Sequence, residues 1–446
     1  MRHFIKPILS WRLSILLLLS ILLGGTSQPY VLPKLCLCIL SLIVIFQLLL
    51  TCDKVDLKDL LQIPVIFGAI FLLLSFLYLI PVPQSIWSGL TLREGVVEGQ
   101  NLLGIADNWR PIGLTPLDGW VSFWYFTPPI AIAAVMILDL KPDELVKAIK
   151  ALIIAGILCV LLGLGQYAFG SANLHFYKFS NVGFPTASFS NANHFSTFLL
   201  MLIPLAIYQI SQTRPYRRRG RGGSGSKDLF LAAMFVAVAI PVTILTDSLS
   251  GYMILPICLT LSLLVFFRPF WRWKYKVLAL TALIVCLGLF VLDFFVWENY
   301  FVAFQNKFVE DGSLSRIDIY RNIWENFEPS ALIGTGPGSF YDVYLGFENK
   351  SKLINKYANA AHNDFLQIWL EMGLLGIALM VIFTVYIGIK YIIGLIGNRP
   401  PLQIIASVSV LVAMTASLVD YPLRTIAVSV MLTFFTVLAT NIHRKT

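Results

Sequence analysis

A chain of 446 residues, 57% hydrophobic and only 13% charged, with a mean hydropathy of +0.78, is not a set of soluble domains. At about 20 residues per apolar span, it holds material for roughly a dozen membrane helices and sizeable external loops. The net charge of +9 does not point to nucleic acid, because Lys and Arg fall in short clusters between apolar runs, where positive-inside topology accounts for them.

From the N-terminus, residues 1–25 carry a basic start (Arg2, Lys6, Arg12) and an apolar run without an A-x-A-like cleavage site, which reads as an uncleaved signal-anchor helix. Long apolar runs, broken where Pro, Gly and charge collect, predict helices near 12–25, 32–51, 60–80, 120–138, 149–169, 195–211, 229–246, 251–267, 277–297, 366–389, 402–418 and 425–442. With the N-terminus cytoplasmic, inner segments hold about two thirds of the 33 Lys and Arg residues. The sharpest inner marker is the flexible basic loop Arg214 to Lys227, and Arg268 to Lys274 reads as an interfacial belt. The six cysteines lie in or beside apolar runs with no CxxC pair, so neither a disulfide framework nor a zinc site is indicated. The outer face then carries the loops 81–119, 170–194 and 298–363, where chemistry is to be sought.

In the second of these loops, Phe189-Ser190-Asn191-Ala192-Asn193-His194-Phe195 leads into a span with three amide or imidazole groups, which serve either as helix caps or as binding groups. In the third, Ser313 to Trp324 reads as a short amphipathic helix on the membrane surface, with a Ser cap, an apolar face of Ile317, Tyr320 and Trp324, and a stop at Glu328-Pro329. Arg316 falls in its first turn, where a cation opposes the helix dipole, so helix propensity does not explain it. A guanidinium there suits a diphosphate; a lipid-phosphate anchor or a salt bridge to Asp311 or Asp318 explains it equally. The run Gly334-Thr335-Gly336-Pro337-Gly338-Ser339-Phe340 lacks the Gly-Lys-Ser/Thr ending of a P-loop and reads as a tight turn. At the loop's end, Ala361-His362-Asn363-Asp364 enters an apolar helix; His362 there can take a proton from a hydroxyl, or can be a cap or interfacial residue. Last comes Asp420-Tyr421-Pro422-Leu423-Arg424, a turn between the final two spans in which Arg424 can pair with Asp420.

In this order and on one side, the segments resemble the O-antigen ligase and polymerase superfamily. The matching stretches are 189–195, Ser315-Arg316 with Trp324, 334–340, and 361–367 followed by Glu371-Met372-Gly373. The resemblance implies an all-α polytopic membrane protein with about twelve transmembrane helices and a C-type glycosyltransferase-like fold. It divides into N-terminal helices (1–297), a long external catalytic loop (298–363) and C-terminal helices (364–446). It implies an inverting, metal-independent glycosyltransferase of the bacterial inner membrane, with both termini cytoplasmic and the active face periplasmic. No cofactor is implied, and no set of Asp, Glu, His or Cys at metal-ligand spacing occurs in the outer loops. The donor would be an undecaprenyl-diphosphate-linked oligosaccharide and the acceptor a growing saccharide or a lipid core, with membrane lipid as surroundings.

Arg316 takes the place of the family's diphosphate-binding arginine and His362 that of its essential histidine. Leu249, in Asp247-Ser248-Leu249-Ser250-Gly251, stands where a second arginine is expected, and Ala192 where many relatives have Arg. Arg424 or Arg321 is a possible substitute, with Asn193, His194 and Asn363 as further substrate-binding candidates. The turn at 420–425 looks more like polymerases of exported polysaccharides than like ligases. A transporter of a small anion or other solute is the alternative; it would carry paired ionisable groups at the midplane and related halves, and neither is visible.

Overall fold

The computed structural model describes residues 11–27, 30–52, 55, 57–105, 108–170, 172–212, 224–268, 316–327, 332–348, 358–397 and 399–440. Its main helices are α1 (Arg12–Leu23), α2 (Val31–Thr51), α3 (Ile63–Leu77), α4 (Glu94–Leu103), α5 (Pro116–Trp124), α6 (Thr127–Leu138), α7 (Pro142–Phe169) and α8 (Ala192–Gln212). They continue with α9 (Ser224–Leu245), α10 (Leu249–Phe266), α11 (Arg316–Asn326), α12 (Phe340–Phe347), α13 (Asp364–Ile396), α14 (Pro401–Ala416) and α15 (Ile426–Ala439). Among the described residues the chain is all-helical apart from a two-residue antiparallel pair, β1 (Pro81–Val82) and β2 (Arg110–Pro111). Among the described residues, seven helical stretches are long and apolar enough to cross a membrane by length and composition, and α1, α3, α14 and α15 are shorter apolar helices. The run expected at 120–138 is interrupted where α5 stops at Trp124 and α6 starts at Thr127. The run expected at 277–297, the basic loop at 214–223 and the cap at Ser313 lie outside the described residues.

The chain forms two compact units. The first comprises 1–64, 127–287 and 384–446. Its most deeply buried helix is α8, which packs on α9, α10 and α14 and is closed off from solvent from Phe195 to Ala206. Pro204 interrupts its ladder and frees carbonyls one turn earlier; Cys258 Sγ donates to Leu200 O (3.3 Å) and Ser409 Oγ to Met201 O (2.8 Å), so neighbouring helices supply what the proline removes. Charged helix ends pair within the unit: Arg12 with Asp139, and Lys150 with Asp228 at 3.0 Å. Arg268 donates to the carbonyls of Gly397 and Arg399, capping the chain end beyond α13 rather than acting only as an interfacial cation.

The loop after α7 is fixed by one buried amide. Gln166 Oε1 accepts from the backbone N–H groups of Thr186 (2.9 Å) and Ala187 (2.7 Å), while Nε2 donates to the carbonyls of Leu174 (3.0 Å) and Ala187 (2.9 Å). Ser190 N–H then reaches Gly25 O at 3.0 Å, and Ser188 Oγ reaches Ile21 O at 2.8 Å. A Cβ on Gly25 would collide with the Ser188 carbonyl, so this crossing needs glycine. Gln166→Leu, which keeps size but orphans two buried N–H groups, is expected to lower stability by about 2–4 kcal/mol. Thermal melting of the detergent-solubilised protein measures it.

The second unit comprises 65–126 and 288–383. Its loop after α3 is organised around Trp87, 2% exposed, whose Nε1 donates to Pro111 O at 2.8 Å. The guanidinium groups of Arg93 and Arg110 lie 5.8 and 5.6 Å from the Trp87 ring centroid. Arg93 is buried and donates to Thr91 O and Ile112 O, both at 2.6 Å; burial lowers its pKa to about 10, so it stays charged at neutral pH.

Candidate active site

In the second unit, α11 presents Ile319, Ile323 and Phe327 to a core formed with Phe340, Tyr344, Ala358, Ala361 and Leu370. The i, i+4, i+8 stripe is therefore offset from the expected Ile317, Tyr320 and Trp324 face: Tyr320 is half-buried and Trp324 is 67% exposed. The reason is chemical. Tyr and Trp have polar tips and tolerate water, whereas Ile319, Ile323 and Phe327 do not, so the purely apolar stripe goes inward. Arg316 is the first described residue of α11 and is half-buried, and Arg321 is exposed.

Tyr320 connects α11 to the histidine. Its hydroxyl donates to the carbonyl of His362 at 2.7 Å, one helical turn beyond Arg316. His362 has φ 53°, a left-handed conformation rare outside glycine, and its side chain is half-buried. The turn is held from both sides. Ala361 N–H donates to Gln367 Oε1 (3.1 Å), whose Nε2 donates to the buried Glu371 (3.0 Å), and Asn363 Oδ1 accepts from Leu366 N–H (3.0 Å). The cap of α13 is thus Asn363. Across the same core, Asn322 Nδ2 donates to Tyr344 Oη at 3.3 Å, and burial raises the Tyr344 pKa.

The glycine-rich run after α11 is a turn, not a phosphate cradle. Its N–H groups at Thr335, Gly336 and Ser339 are already committed to the carbonyls of Leu370 (3.0 Å), Glu371 (2.7 Å) and Gly336 (3.2 Å). Thr335 O in turn accepts from Leu114 N–H at 2.8 Å, and Tyr78 Oη donates to Ile333 O.

The remaining candidates belong to the first unit. Asn191 Oδ1 accepts from Asn193 N–H at 2.8 Å, so the capping in this motif is done by Asn191. Asn193 is half-buried, with Thr197 Oγ1 donating to its carbonyl at 3.0 Å. His194 is fully buried, its Nε2 3.5 Å from Asp420 Oδ2, with its ring edge-on to Tyr421 at 4.8 Å. Asp420, expected to face Arg424, thus has His194 as an ionic neighbour. Arg424 is half-buried and closes a 3-10 turn, Pro422–Arg424, whose exit is fixed by Thr425 Oγ1 on Pro422 O (2.8 Å) and Ser429 Oγ on Leu423 O (2.6 Å). At the position of the missing arginine, Leu249 opens α10 half-buried behind Ser248, whose Oγ accepts from Gly251 N–H at 3.0 Å.

Residues 232–381, about a third of the chain, match the family model described as O-antigen ligase. This region is similar to the O-antigen ligase family. The matched stretch contains α10, α11, α12 and most of the apolar helices' successor α13, with Arg316, Arg321, His362 and Asn363 among its residues. A comparison with curated proteins gives no match. Its long apolar helices are those of a multi-pass membrane protein, and the region that resembles the O-antigen ligase family includes the loop helices and the start of α13.

Tyr320, Gln166 and Gly373 carry positioning roles that the sequence did not single out. A lone Gln in an otherwise apolar span was the available signal for Gln166, since a buried amide there must find partners. Tyr320, counted as an apolar face residue, gave no comparable signal.

Proposed function

We propose that this protein is an inverting, metal-independent glycosyltransferase that takes an undecaprenyl-diphosphate-linked glycan as donor at the external face of the inner membrane. It extends an exported polysaccharide or transfers it to a lipid core, with polymerisation favoured. The observation that carries this reading is the Tyr320 to His362 hydrogen bond, which ties the helix headed by Arg316 to the turn holding His362 inside the family-matched region. The acceptor's hydroxyl oxygen attacks the anomeric carbon, the bond from that carbon to the diphosphate oxygen breaks, and polyprenyl diphosphate leaves. His362 receives or orients the hydroxyl proton, and Arg316 meets the charge that builds on the leaving diphosphate.

Arg321 is a further cation for the anionic donor within the second unit, and Arg424 and Asn193 are substrate-binding groups of the first unit in this reading. Fully buried His194 and the cap Asn363 act by holding their turns rather than by touching substrate. Arg316→Lys tests the diphosphate role: an ammonium keeps the charge but loses the planar two-pronged donor, so transfer is expected to fall about 100-fold at normal protein level. Full activity in that variant would favour a lipid-anchoring role for Arg316. Wild-type protein that moves a solute and never forms a glycosidic bond would favour transport instead.

A further inference from the structure

We propose that Trp324, braced by Trp369, is a stacking platform for a sugar ring of the glycan, a subsite distinct from the Arg316 and His362 positions. The proposal rests on the glycan-transfer reading above. Trp324 stands outside the buried Ile319, Ile323 and Phe327 stripe and is 67% exposed. Its ring is supported from within: the Trp369 ring centroid lies 5.5 Å away at 45°, and Phe327 meets Trp369 edge-on at 5.2 Å and 86°. The bracing limits how far the indole can swing, and a pre-oriented ring loses little freedom when a ligand covers it.

The neighbours of the ring favour a sugar over lipid tails. On the same exposed face of α11, Arg321 precedes Trp324 by three residues and is itself exposed, and Glu325, exposed about 100° round the helix, is one turn from Arg321. An apolar ring with a guanidinium donor one turn away matches a pyranose, whose C–H face is apolar and whose rim is hydroxyl. Where a helix of this chain shows apolar side chains in quantity, as at Leu374, Leu375, Val381 and Ile382 of α13, the exposed neighbours are aliphatic. Trp324 is also near the reacting position. It lies one turn, about 6 Å along the axis, beyond Tyr320, whose hydroxyl holds the His362 carbonyl.

The test uses full-length protein in nanodiscs and the lipid-linked saccharide that accumulates in cells lacking this chain. Trp324→Ala is expected to raise KM for that saccharide about tenfold with kcat within about twofold, and Trp324→Phe, which keeps a ring face, to stay within about threefold of wild type. Bromine-labelled acyl chains should quench wild type and Trp324→Phe to the same degree. Unchanged KM in Trp324→Ala, or quenching that drops when Trp324 is replaced, would overturn the subsite, the latter assigning the ring to the lipid interface. Failure of the wild type to form any glycosidic bond would instead overturn the transfer reading, and the subsite with it.

Discussion

His362→Ala is expected to lower glycan transfer by about 10²–10⁴-fold, the range for removing a positioned acid–base group. Membrane insertion and melting temperature should change little. The separation of chemistry from folding follows from how the turn is held. The hydrogen bonds that fix it use the His362 carbonyl, Ala361 N–H and the side chains of Tyr320, Asn363 and Gln367, none of which alanine at 362 removes. The left-handed φ of 53° suits histidine better than alanine, so a small loss of melting temperature is expected from the backbone alone. Asn363→Ser keeps an oxygen at the cap and should retain the fold and much of the activity, because its side chain is assigned to Leu366 N–H and not to the substrate. Purified wild type and both variants, given the lipid-linked saccharide and acceptor, provide the comparison. Undiminished transfer by a well-folded His362→Ala would remove the histidine from the mechanism.

What the sequence disclosed and what it hid follow one physical division. Apolar runs of span length can go nowhere but into helices shielded from water, so α2, α7, α8 and α13 fall where composition put them. A helix through 316–324 and the tight turn at 334–338 were likewise legible, from periodicity and from glycine content. The inward face of α11 was not, because periodicity treats Tyr320 and Trp324 as apolar although only one side of each ring needs cover. Pairings between distant segments were also hidden. Nothing local to Asp420 says that His194 lies beside it, and nothing local to the glycine run says which carbonyls its N–H groups will meet. The candidate residues themselves were visible; the supports that orient them were set by tertiary contact.

Gly373→Ala is expected to reduce the yield of monodisperse protein sharply and to lower its melting temperature by several degrees, with transfer lost in parallel. Gly373 interrupts α13 at φ 64°, ψ −160°, a region open essentially to glycine alone. Its break turns Leu374 N–H to Leu332 O at 3.3 Å, while Leu370 and Glu371 carbonyls accept from Thr335 and Gly336 in the crossing strand of chain. A helix broken inside an apolar stretch must have its freed groups satisfied, and the glycine run does this at backbone-to-backbone distance. There is no room for a side chain on either partner. A Cβ on Gly373 would meet the Leu332 carbonyl, its carbon at 2.6 Å, and a Cβ on Gly334 would lie 2.6 Å from Gly373 N. The backbone conformation alone costs about 1–3 kcal/mol, a large share of a stability of about 5–15 kcal/mol, and the collision adds to it because backbone cannot step aside as a side chain can. Gly388→Ala in the same helix is the control. A Cβ there meets nothing within 4 Å, so the substitution should leave stability unchanged or raise it slightly through helix propensity. Equal melting of the two variants would mean that the break at Gly373 is not what holds the turn before α12 against the helix that begins beside His362.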